Sequence, residues 1–238
     1  VYYRELLVLK KRLPRLLGSM AVSPLLYMVA FGSAMGDVTV QGRPYAEFLV
    51  PGLIAMTSMT QAWAIASEIN IARFYWRIFE EFQIAPITGA DYVAGEVLAG
   101  ITRACLSMLV ILVMGLAFGV HLRFLSPLFW LAALLNAFVF ASLAVAVAML
   151  VKSHADQAMM TSFVITPMAF LGGTFFPVER LPEWARVPLH FLPLTHAAHA
   201  IRAAAFGETP NGLSYVLLAA LGLIFFVVAL RCVGRARD

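Results

Sequence analysis

A chain of 238 residues that is 62% hydrophobic and 13% charged departs from globular norms of roughly 45–50% apolar and 25% charged residues. A soluble fold has nowhere to bury that excess, and apolar runs that are continuous rather than alternating exclude a β-barrel. The formal net charge of +4 does not indicate nucleic acid, because the basic residues gather near the two ends of the sequence, as membrane topology signals do.

Residues 1–17 place Leu6, Leu9, Leu13 and Leu16 at helical spacing, with Lys10, Lys11 and Arg15 on other faces. This predicts a basic amphipathic interfacial helix, broken or kinked by Pro14. The first predicted span is about 18–36; it lacks a small-residue cleavage pattern and reads as retained. A polar, turn-rich loop at 37–47 leads to a second span at about 48–70. Residues 71–92 mix aromatic and charged side chains, and a third span follows at about 97–119. Further spans are predicted at about 128–151, 158–176 and 213–231, each taken as about 20 apolar residues. The stretch 177–212 is apolar but interrupted by Pro188, Pro193, His190, His196, His199 and Arg202. Two readings fit it: re-entrant or interfacial helices, or an ordinary loop packed on the bundle. The expectation is thus an all-α membrane protein of six transmembrane helices in a single transmembrane domain.

Lysine and arginine set the orientation. Twelve of the seventeen fall on one side of this topology, at the N-terminus, in 71–103, at Lys152 and at the C-terminus. Both termini are therefore expected in the cytoplasm, with 177–212 outside.

What the spans lack narrows the chemistry. Glu68, Glu96 and Arg103 sit near the cytoplasmic ends of the second and third spans, and nothing charged falls inside the fourth, fifth or sixth, the last of which ends at Arg231. Ion-coupled carriers and voltage sensors need intramembrane ionisable groups. The path expected here is apolar, suited to a lipid tail or a flat hydrophobic drug. No catalytic constellation is present, and the only cysteines, Cys105 and Cys232, make neither a disulfide framework nor a zinc site. His196 and His199 lie three residues apart, but with no third ligand identified no metal site is assigned. A Gly-x-x-x-x-Gly-Lys-Ser/Thr loop is absent, so energy for uphill movement would come from another subunit. Gly32-x-x-x-Gly36 and Gly115-x-x-x-Gly119 are candidate helix contacts.

Two segments carry the functional reading. Between the second and third spans, Glu80, Glu81 and Phe82 precede Pro86, with Thr88 or Asp91 as helix caps and Tyr92 beyond. The segment suits either a short cytoplasmic helix docking into a partner's groove or a membrane-surface turn held by its aromatic residues. The second segment runs Phe-Leu-Gly172-Gly173-Thr-Phe175-Phe176-Pro177, then Leu-Pro-x-Trp184, then Phe-Leu-Pro-Leu194-Thr-His196.

With Ala85-Pro86-Ile87 and the basic N-terminal helix, these pieces resemble the permease subunit of type-2 ABC exporters, most of all its nodulation-protein J branch. The drug-resistance permeases share the signature. The resemblance covers essentially the whole chain. It implies six spans, an N-terminal interfacial helix, a cytoplasmic coupling helix after the second span and re-entrant helices before the sixth. It also implies two copies in a bacterial inner membrane with two ABC ATPase subunits, which hold the ATP and Mg. Such complexes export lipooligosaccharides, lipid-linked glycans or amphipathic drugs. By the same resemblance, Glu80, Glu81, Phe82, Pro86, Thr88, Asp91 and Tyr92 fall in the ATPase-coupling segment. Gly172, Gly173, Phe175, Phe176, Pro177, Trp184 and Leu194 fall in the outer gate. The competing reading is a membrane scaffold or assembly factor of the same fold that transports nothing.

Overall fold

The computed structural model describes residues 1–36, 38–40, 42–75, 87–120 and 122–235. Helix α1 (Tyr2–Ala34) leads to a two-stranded hairpin, β1 (Thr39–Val40) and β2 (Arg43–Pro44), with Thr39 opposite Pro44. Then come α2 (Tyr45–Trp63), α3 (Ile65–Phe74), α4 (Gly89–Ala117) and α5 (Pro127–Leu150). A broken run follows: α6 (His154–Met160), a π turn (Thr161–Ile165) and α7 (Thr166–Leu171). After a 3₁₀ turn (Val178–Arg180) the chain ends in α8 (Glu183–Leu189), α9 (Pro193–Phe206) and α10 (Gly212–Arg235).

Five of these paths are long and apolar enough to cross a bilayer: Tyr2–Gly32, Tyr45–Phe74, Gly89–Ala117, Pro127–Leu150 and Gly212–Arg235. The predicted fifth span is the broken α6–α7 run instead, where Pro167 and the π turn interrupt the regular ladder. The two N-terminal elements expected at 1–17 and 18–36 form one helix, which passes through Pro14 and Pro24. Each proline removes one backbone bond, and the turns on either side hold the helix together. The expected loop at 37–47 closes as the hairpin, so α2 already starts at Tyr45. The third span starts earlier than expected, at Gly89, because Thr88 and Asp91 form a reciprocal capping box.

α2 is the central element. From Phe48 to Met59 every residue is buried, and α4, α5 and α9 pack around it. A helix apolar on all sides requires such surroundings. Val233 of α10 approaches Gly89 at the start of α4, and Val1 approaches Gly95. Both ends of the described chain thus lie at one end of the bundle, called the basic end. The opposite, hairpin end carries β1–β2, the turn after α7 and the start of α5. Neither sequence Gly-x-x-x-Gly motif marks the closest packing: space around Gly32 and Gly119 is open. Gly115 meets Val50, and tighter contacts lie elsewhere, among them Gly100 against Ala141 and Gly222, where a Cβ would overlap the Phe138 ring.

Buried amides tie the helices where apolar packing has no direction. Asn136 of α5 donates from Nδ2 to the Ala55 carbonyl at 2.9 Å and to Ser58 Oγ at 2.8 Å on α2. Replacing Asn136 by Leu should cost about 1 kcal/mol and lower the unfolding midpoint in detergent by roughly 2–4 °C. Thermal unfolding followed by tryptophan emission checks this.

Candidate functional site

Two clusters organise the ends of the bundle. At the hairpin end, α7 stops at Gly172, and Gly173 takes φ +84°, open to glycine at little cost. Gly172 also sits against Leu194 of α9, where a Cβ would come within 2.7 Å of Leu194 Cδ2. This turn is held from two sides. Tyr45, at the first position of α2, donates its hydroxyl to the Phe175 carbonyl at 2.8 Å. Arg202 of α9 donates from Nη2 to the Gly173 carbonyl at 2.8 Å and from Nε to the Phe48 carbonyl at 3.3 Å. Its guanidinium lies 3.8 Å over the Phe48 ring. At 6% exposure, desolvation pulls its pKa down to about 10, with Glu179 and Tyr45 opposing; it stays cationic at neutral pH.

Gly52 makes this geometry possible. A Cβ there would overlap the Thr174 carbonyl and press on Arg202 Nη2. On the other side of the turn, Phe175 enters an aromatic cluster with Tyr27 and Phe31 (each 5.1 Å) and Phe170 (5.4 Å). The hydroxyls of Thr174 and Thr195 are buried with no hydrogen-bond partner, so the packing here is incompletely satisfied.

Of the residues assigned to an outer gate, Gly172, Gly173, Phe175 and Leu194 converge in this cluster. Pro177 is buried beside it and Phe176 is half-buried. Trp184 lies apart on α8, 80% exposed. Arg202, Tyr45, Phe48 and Gly52 were missed as partners of the turn. A lone arginine in an apolar helix was the available signal; the carbonyls it reaches are 29 and 154 residues away. His196 and His199 are turned to separate uses, His196 Nε2 on the His190 carbonyl at 2.8 Å and His199 on Glu179 at 3.4 Å.

At the basic end, polar contacts join α1, α3, α4, α5 and α6. Arg4 pairs with Glu5 and approaches Glu96 at 4.0 Å. Arg103 of α4 pairs with Glu68 of α3, Arg73 donates to the Ala148 carbonyl, and Tyr2 shares a 2.9 Å hydroxyl bond with Thr102. The buried amides of Asn70 and Gln157 meet, and Gln157 also bonds Ser67, so α6 is fastened to α3. Glu80, Glu81, Phe82 and Pro86 fall outside the described residues. Thr88 and Asp91 cap α4: the Asp91 amide donates to Thr88 Oγ1 at 3.1 Å and the Thr88 amide to Asp91 Oδ2 at 2.9 Å. Tyr92 is buried, 4% exposed; it packs the start of α4 into the core and offers no docking surface.

The ABC-2 type transporter family matches residues 1–206. The chain is 33% identical to Nodulation protein J of Neorhizobium galegae, over 87% of this chain and 80% of that protein. It is 29% identical to the inner membrane transport permease YadH of Escherichia coli K12, over 89% of this chain and 84% of the relative.

Replacing Arg202 by Met leaves the Gly173 and Phe48 carbonyls without their donor and should cost about 3 kcal/mol. Tyr45→Phe removes one neutral bond and should cost about 1 kcal/mol. Thermal unfolding in nanodiscs is expected to rank them in that order, with Arg202→Lys between, since an ammonium cannot serve both carbonyls from above a ring.

Proposed function

The chain belongs to the ABC-2 type transporter family, and from that premise we propose that it is the membrane-spanning subunit of an ATP-driven exporter. Its ATPase is a separate chain, present in two copies that hold ATP and Mg, and two copies of this chain pair in the membrane. The cargo is amphipathic: a lipooligosaccharide, a lipid-linked glycan or a hydrophobic drug. The protein is a multi-pass inner-membrane permease, and the basic end faces the cytoplasm.

The observation that carries this reading is how the connection between α3 and α4 is fastened. It leaves α3 at Tyr75 and re-enters at Thr88, the cap of α4. α3 is bolted to α6 through Asn70 and Gln157, and to α4 through Glu68 and Arg103. A displacement applied at Glu80–Phe82 therefore reaches α4 through its capped N-terminus and reaches the broken α6–α7 run through α3. That run is the element least able to stay rigid, because its π turn and Pro167 weaken the helical ladder. It ends at Gly172–Gly173, in the turn that Arg202 and Tyr45 hold. Nucleotide-driven closure of the ATPase pair thus acts on the hairpin-end cluster, which serves as the outer gate.

Glu80→Ala, Glu81→Ala and Phe82→Ala together should leave the unfolding midpoint unchanged. ATP hydrolysis by the co-purified complex, stimulated by amphiphile, should fall roughly tenfold, as for loss of an interface anchor. Unaltered stimulated hydrolysis, or a chain that never retains an ATPase in nanodiscs, would favour the scaffold.

A further inference from the structure

A charged cleft of about 230 Å³ lies at the basic end, between α1 on one side and α3 and α4 on the other. Among the described residues its polar lining is Arg4, Glu5 and Arg12 from α1, Glu68 from α3 and Glu96 from α4; the rest is aliphatic. A smaller space of about 40 Å³ continues it past Glu5, Arg12 and Glu68, adding Arg103, the Tyr2 and Thr102 hydroxyls and leucines of α1.

Most of these polar groups are spent on one another. Arg4 pairs with Glu5, Arg103 pairs with Glu68, and the Tyr2 and Thr102 hydroxyls share a bond. Opposite charges are left over at two places. Glu96 has only 3% of its side chain exposed, and its nearest cation is Arg4 at 4.0 Å, beyond hydrogen-bond reach. A carboxylate buried in this way is costly until a donor meets it. Arg12 is exposed, and among the described residues no carboxylate lies within ion-pair distance of it. Beside it in the smaller space, Arg103 keeps a buried Nε without an acceptor. The helical rise puts Arg12 about 12 Å beyond Arg4 along α1, so the cationic side of the cleft lies deeper than Glu96.

What completes the cleft must therefore carry both signs in a fixed order: a cationic donor for Glu96, toward the end of the bundle, and an anion for Arg12, further along α1. A metal cation leaves Arg12 unmet. A free phosphate leaves Glu96 unmet and faces Glu5 and Glu68 as well. A phospholipid with a primary ammonium in its head has the required order. In the leaflet at the basic end its ammonium is outermost, its phosphate comes next, and its tails run inward, where Leu9 and Leu16 continue the wall. Lys10, Lys11 and Arg15, exposed beside Arg12, mark the head-group level. A trimethylated ammonium keeps the charge but has no N–H left to donate to the Glu96 carboxylate.

We propose that this cleft holds a resident phospholipid of the phosphatidylethanolamine class, with Glu96 taking the ammonium and Arg12 the phosphate, so that the lipid ties α1 to α4. The proposal goes beyond the export reading and does not need it: the lipid is a fixed part of the protein, not its cargo.

The test reconstitutes the full chain in nanodiscs holding equal mole fractions of phosphatidylethanolamine, phosphatidylcholine and phosphatidylglycerol with identical tails. The protein is then extracted into detergent, and the lipids that stay bound are counted by native mass spectrometry. Phosphatidylethanolamine should be retained about tenfold over phosphatidylcholine, the factor that one charge-assisted hydrogen bond supplies, and also over phosphatidylglycerol, which brings no ammonium. Glu96→Gln should abolish the preference over phosphatidylcholine while total retention stays. Arg12→Gln, at an exposed position, should lower retention of all three roughly tenfold and keep their order. Equal retention of the three heads, a preference for phosphatidylglycerol, or a preference for phosphatidylethanolamine that survives Glu96→Gln overturns the proposal. If Glu96→Gln does not fold, Arg12→Gln decides, and unchanged retention in that variant overturns it. Displacement of the bound lipid by glycerophosphoethanolamine at equal concentration would assign the cleft to a soluble zwitterion and overturn it too.

Discussion

A guanidinium buried among apolar helices has to spend its donors on something, and in this protein Arg202 spends them on backbone. Gly173 and Phe48 offer carbonyls, and the Phe48 ring offers its face. Such bonds from a charged donor are stronger than neutral ones in a low-dielectric setting. Three elements meet there: α9, the first turns of α2 and the turn after α7. The bareness of Gly52, the left-handed turn at Gly173 and the seat of Leu194 against Gly172 are each needed to let them approach. The aromatic cluster around Phe175 takes its position from the same turn.

The other end of the bundle is held differently. Ion pairs and amides connect successive helices there, from Arg4 and Glu5 through Glu68 and Arg103 to Gln157. The basic end is thus cross-linked over several helices, whereas at the hairpin end Arg202 and Tyr45 together hold a single turn. Between them lies a helix interrupted by a π turn.

Much of this was legible residue by residue. The apolar runs located the helices, Thr88 and Asp91 announced a cap, and the glycine-rich signature marked a turn that the fold builds as a tight approach to α9. Other signals pointed the wrong way. Pro14 does not end a helix, because the ladder continues around one missing donor. Of the Gly-x-x-x-Gly motifs, Gly32 and Gly119 sit beside open space and Gly115 meets Val50, while Gly52, Gly100, Gly172 and Gly222, outside those motifs, take closer contacts, since a glycine marks packing only where a neighbour is present. Trp184 belongs to the signature in sequence but lies exposed and apart from the cluster in space. Tyr92 looks like a surface aromatic and is core.

The sequence by itself determined the solvent this protein folds in and its helical class. Those follow from composition and run length, and are properties of a string. Only the tertiary structure decided what Arg202 does. A lone arginine names no partner when its acceptors are backbone carbonyls, because carbonyls are the same at every position.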